Sequence, residues 1–203
     1  MPNMTASTSP CCASLAERMR RWLCAVVLMC ATFASCAEEA LIRSAEIVPG
    51  DGGYVLNADI DLELNSRLAD AVTRGVSLYF VAELRIERPR WYWLNELVVD
   101  RTLDYRLHYN AITRSYRLSI GSFQQSFDSL DAAVRTMLRI RNWQVAGSDE
   151  LRPGVSHQVA LRFQLDTSQL PKPFQVTAIG SRDWDLGTEW VRWTFLPGAA
   201  ASR

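Results

Sequence analysis

Tyr54-Val55-Leu56-Asn57-Ala58-Asp59-Ile60-Asp61-Leu62-Glu63-Leu64 decides the fold class. Tyr54, Leu56, Ala58, Ile60, Leu62 and Leu64 fall on every second position, with Asn57, Asp59, Asp61 and Glu63 among the residues between them. Successive side chains of a strand point to opposite faces, so this is a strand with one dry and one wet face. Asp51-Gly52-Gly53 ahead of it is a turn signal, and residues 41–48 can pair back on it as a hairpin.

The same alternation recurs along the chain. Leu97, Val99, Leu103, Tyr105, Leu107 and Tyr109 face one way, and residues 110–113 link them to Tyr116, Leu118 and Ile120 in a second hairpin. Residues 76–86 are more continuously apolar and predict a central strand covered on both sides. Val155, Val159, Leu161, Phe163 and Leu165 predict a further strand, and residues 174–179 and 189–196 complete a set of eight or nine. Two stretches leave this period. Leu68, Ala71 and Val72 lie at helical spacing within 66–74, with Asn65 or Ser66 as cap and Gly75 as stop. Leu130, Ala133, Val134, Met137 and Leu138 form one stripe within 129–140, capped by Asp128 or Ser129. The expectation is a mainly β chain, a β-sandwich immunoglobulin-like in general architecture, with one short and one medium helix. A half-open barrel is the alternative.

Outside this region the N-terminus reads as an export leader. Arg18, Arg20 and Arg21 precede residues 22–34, which are apolar apart from Thr32, and Ser35-Cys36-Ala37 offers small residues for cleavage. That apolar run is shorter than the roughly 20 residues a bilayer span takes. The expected division is a signal peptide at 1–37, with an over-extended start before Met19, and one domain at 38–203. Phe33-Ala34-Ser35-Cys36 also resembles a lipobox, so lipidation at Cys36 and an uncleaved N-terminal anchor are the other readings. All place the domain in the periplasm. All five cysteines, Cys11, Cys12, Cys24, Cys30 and Cys36, lie in this leader, so the remaining domain has no disulfide, thiolate ligand or sulfur nucleophile.

Acids and bases balance at 22 each, and the leader takes three arginines but only Glu17. The remaining domain is slightly acidic, which gives no reason to expect nucleic acid or an anionic membrane surface as partner. Lys172 is the single lysine. No Gly-x-Ser-x-Gly elbow, Ser-x-x-Lys pair or glycine-rich phosphate loop is present. His157 sits on an apolar strand face and reads as a core histidine, while His108 reads as solvated; the two make a poor metal set. Asp59 and Asp61 share a wet face and are better read as solubilising than as a calcium pair. No catalytic residue, metal ligand or cofactor is therefore assigned.

The unusual local compositions are aromatic and arginine-rich. Arg88-Pro89-Arg90-Trp91-Tyr92-Trp93 follows the central strand, Pro89 marking an edge or bulge where side chains are often exposed. Arg182-Asp183-Trp184-Asp185 and Trp190-Val191-Arg192-Trp193 add three tryptophans, which read first as caps on the fold. Candidate partner-binding residues are Arg88, Arg90, Trp91, Trp93, Arg182 and Trp184. Residues 166–174, with Pro171 and Pro173, predict an extended crossing between sheets.

Residues 88–93, Gln125-Ser126-Phe127, residues 139–143, residues 166–174 and Ser181-Arg182-Asp183-Trp184 together resemble an uncharacterised bacterial exported family, domain of unknown function 4390. The resemblance covers roughly residues 41–196. It implies an envelope protein with a signal peptide and suggests a membrane sensor as partner; it brings no activity, ligand or catalytic residue. The function expected is a non-enzymatic periplasmic domain that binds a protein or envelope component and tunes a membrane sensor. An envelope glycan hydrolase using paired carboxylates and a lipid-binding β-barrel are the alternatives.

Overall fold

The computed structural model describes residues 40–92, 94–178 and 180–198, apart from the side chains of Thr177 and Arg182. The leader and its cleavage, lipidation and anchoring readings lie outside these residues. Within the described part, no helix is long and apolar enough to cross a membrane.

The two hairpins predicted from alternation are present. β1 (Leu41–Gly50) pairs with β2 (Gly53–Asp61), and β4 (Glu96–Asn110) pairs with β5 (Ser115–Ile120). β3 (Leu78–Arg88) lies between β4 and β8 (His157–Leu165), which makes it the central strand expected. Only one of its faces is dry: Leu78, Phe80, Ala82, Leu84 and Ile86 are buried. Tyr79, Val81 and Glu83 opposite are half-buried and Arg85 is exposed, so the expectation of cover on both sides is corrected. Charges at Glu83 and Arg85 interrupt the apolar run on that second face.

Two strands escape a reading by strict period. β6 (Phe123–Phe127) follows β5 through Gly121-Ser122, and its composition is too polar to announce a strand. β7 (Arg139–Gly147) pairs with β2 through two register irregularities, and Asn142 takes a left-handed φ of 51°. Those breaks shift the buried set from Ile140 to Val145 and Ala146, which destroys the alternation. β9 (Val191–Phe195) closes the set as a short strand beside β8.

The described strands form two open antiparallel sheets, β1-β2-β7 and β6-β5-β4-β3-β8-β9. Neither closes on itself, which removes the barrel alternatives. Both sheets contribute to one cluster of buried side chains, from Leu56, Ala58 and Ile140 to Leu84, Leu107 and Phe163. The first two helices agree with their caps. α1 (Ser66–Thr73) starts from Asn65, whose side chain accepts from the Leu68 N–H. α2 (Leu130–Met137) starts from Ser129 in the same way, through the Ala132 N–H.

The third helix is a correction. Residues 174–179 are not a strand, and 166–174 is not an extended crossing. Asp166 accepts from the Ser168 N–H and the Gln169 side chain, folding Thr167–Gln169 into a 3-10 turn, and α3 (Lys172–Ala178) follows. Pro173 stands at the start of α3, where a proline fits because first-turn N–H groups have no intrahelical acceptor. Phe174 and Ala178, four residues apart, both pack on the core.

Candidate functional site

The link between β3 and β4 carries the most exposed aromatic surface described. Trp91 is 93%, Leu94 82% and Tyr92 69% exposed, although each could have been buried at a gain of a few kcal/mol. Trp91 and Tyr92 touch edge to face at 4.9 Å, so the two rings form one patch at the tip. Trp93 lies outside the described residues.

The root of this tip is built with care. A register shift between Ile86 and Glu87 turns β3 against β4 just before the loop. Glu96 then holds both arginines of the loop, at 2.7 Å to Arg90 Nη2 and 3.4 Å to Arg88 Nη1. The Asn95 amide donates to Glu87 Oε2 at 3.0 Å across the same hairpin. The Arg90 hydrogen bond, with the charges of Arg88, Arg90 and Arg152, holds the Glu96 carboxyl below its ordinary range. The arginines thus fix the loop's ends and leave the aromatics to face solvent. Glu96 and Asn95 were not singled out by sequence, because the bulge hides which acid faces Arg88 and Arg90.

The remaining candidates part from this site. Trp184 is 5% exposed and packs on Phe174 at 5.8 Å between ring centres, so it offers little surface to a partner. The backbone of Arg182 forms a 3-10 turn with Asp183 and Trp184, and its side chain lies outside what is described. Of the six candidates, the structure brings Arg88, Arg90 and Trp91 together. Trp190 belongs to a different feature: the Arg162 and Arg85 guanidinium groups stand 4.6 and 5.1 Å from its ring, beside a groove of about 510 Å3. Arg162 is at the same time held by both Glu83 oxygens, at 3.0 and 3.1 Å.

Below the tip, His157 is fully buried as expected, with Nδ1 2.8 Å from the Val155 carbonyl oxygen and no partner for Nε2 among the described residues. His108 is half-buried rather than simply solvated, and its Nδ1 is likewise without a partner among them. Desolvation lowers both pKa values below 6.5, aided by Arg88 at His157 and by Arg106 and Arg117 at His108. The neutral rings belong to the folded state, so their contribution is present above about pH 6.5 and is lost as acidification passes toward the folded values. The melting temperature should therefore fall from pH 6.5 to pH 5, and His157→Leu should flatten that slope in a thermal series. An unchanged slope in the variant would mean that His157 does not set this pH dependence.

A cleft of about 900 Å3 lies beside β2 and α2 and includes Asp59 and Asp61. Each is engaged by arginine: Arg141 Nη2 reaches Asp59 at 2.5 Å, and Arg43 Nε reaches Asp61 at 2.8 Å. The Arg141 bond, opposed by desolvation and joined by Ser44, holds Asp59 below the usual carboxyl range. Asp166 is also lowered: desolvation raises it, but the Ser168 and Gln169 hydrogen bonds prevail. A glycosidase acid needs the opposite shift, so Asp59 and Asp166 are poor proton donors. No group of three His, Cys, Asp or Glu side chains gathers for a metal among the described residues.

Fold and site together define a mainly β protein of two open antiparallel sheets bearing a braced aromatic loop. The chain belongs to the family described as domain of unknown function (DUF4390), whose sequence pattern matches residues 37–194. No curated protein and no solved structure matches it.

Proposed function

We propose that this is an exported envelope protein whose domain binds a protein partner through the β3–β4 tip, in the periplasm and without chemistry of its own. The two sheets are read as the layers of a sandwich, immunoglobulin-like in general architecture, that holds the tip rigid. The observation that carries the reading is the exposure of Trp91, Tyr92 and Leu94 on a loop whose ends Glu96 and Asn95 fix. Contiguous exposed apolar groups mark interaction surfaces, and Trp, Tyr and Arg dominate the energy of most interfaces. Export is supported by Arg18, Arg20 and Arg21 ahead of the apolar run at 22–34. A membrane sensor is the partner class favoured, since its exposed domain would share the periplasm.

The test is capture from cross-linked cells with the native chain and with a Trp91→Ala/Tyr92→Ala/Leu94→Ala variant. The variant should keep its melting temperature within about 1 °C, because these side chains are exposed, and lose its partner about tenfold or more. Equal recovery of the same partner by both proteins would refute the tip as the contact.

A further inference from the structure

Open sheets leave edges, and three of the four here are guarded. β1 carries Arg43, Glu46 and Pro49 and a register shift at Ile42/Ser44. β7 carries Arg139, Arg141 and two register irregularities, and β9 holds Arg192. Charges, prolines and bulges of this kind discourage a foreign strand from adding on.

β6 has none of them. Phe123-Gln124-Gln125-Ser126-Phe127 contains no charge and no proline, and it pairs with β5 without a break from Ile120↔Phe123 to Tyr116↔Phe127. Its other edge has no strand among the described residues. Phe123 to Ser126 are exposed and only Phe127 is half-buried. Phe123, Gln125 and Phe127 share the face of the buried Leu118, so Phe123, 61% exposed, extends the core face beyond its cover.

The strand is also its own complement. Turned antiparallel on a copy of itself about Gln125, it sets Phe123 opposite Phe127 at both ends and Gln124 opposite Ser126 between them. One step outward, Ser122 meets Asp128, a hydroxyl donor facing a carboxylate. No like charges meet within the strand, and aromatic cross-strand pairs are among the favourable ones. A two-fold interface requires such self-matching.

We propose that β6 is a self-association edge: two copies of this chain pair β6 to β6 about a two-fold axis at Gln125, continuing one six-stranded sheet into the other. Five residues a side bury less than the roughly 1,200–2,000 Å2 of a standard stable interface, so the dimer is weak and depends on concentration. Local concentration near a membrane or a shared partner would favour it.

Sedimentation of the purified protein from about 1 to 500 μM should show a monomer–dimer equilibrium. Gln125→Lys and Gln125→Glu, at an exposed position, should each keep the melting temperature and weaken association about tenfold or more by placing like charges on the axis. Mixing the two variants should restore it, and the Trp91→Ala tip variant should leave it unchanged. A wild-type protein that stays monomeric throughout overturns the proposal, including one whose β6 is taken by a strand of another protein. So does association that survives Gln125→Lys or fails to return in the mixture.

Discussion

Phe163→Ala is expected to remove about 3–5 kcal/mol of folding free energy. Phe163 is fully buried on β8, opposite Ala82 of the central strand. Its ring stacks on Phe80 at 5.6 Å and meets Tyr105 edge to face at 5.7 Å, so one side chain ties β8, β3 and β4. Truncation removes the transfer gain and leaves a void that three antiparallel strands, held in register on both sides, have little freedom to fill. The melting temperature should drop by about 2–4 °C for each kcal/mol lost. Phe123→Ala, on exposed β6, is the matched control and should move stability by less than about 0.5 kcal/mol in dilute solution. Denaturant titration decides: a loss below about 1 kcal/mol at Phe163 would mean that the six-stranded sheet does not pack its core on this residue.

Gly53→Ala should weaken the other sheet by at least about 2 kcal/mol. Gly53 opens β2 with φ of 153° and lies opposite Gly147 of β7. A Cβ there would stand 2.1 Å from the Ala146 carbonyl oxygen and 2.8 Å from the Gly147 Cα. Both obstacles are backbone, so neither can rotate away, and β2 must part from β7 at this end. Amide exchange should quicken at Tyr54 and Ala146, which pair beside it, before it does in β3. Gly198→Ala, with nothing within 4 Å of its added Cβ, should change neither quantity. Native-like exchange in Gly53→Ala would place the β1–β2 turn differently.

How much of this was legible in the chain depends on whether a strand keeps its period. β2 and β8 alternate without interruption and were readable from Tyr54–Ile60 and Val159–Leu165 alone. β7 was not, because bulges beside Asn142 move its buried side chains out of phase. β6 was not, because an edge strand with little burial needs no apolar face and so leaves no alternation to read. α3 was masked by Pro171 and Pro173, which suggest an extended path until Asp166 is seen to cap the preceding turn. The site divides in the same way. Pro89 pointed to an exposed Trp91, whereas Trp184 shares the Arg-Asp-Trp composition of a surface patch yet is buried against Phe174. Composition marks a cluster, and only tertiary packing decides which side of it meets water.

Photo-cross-linking in living cells, from a benzophenone side chain placed at Trp91 and compared with one at Ile112, reads directly whether the β3–β4 tip meets a partner. Both positions are more than nine-tenths exposed, but Ile112 lies in the β4–β5 turn and belongs to no aromatic cluster. A discrete partner adduct is expected from position 91 and none from position 112. Adducts of equal yield from both, or none from position 91 while the domain is folded and exported, would contradict it.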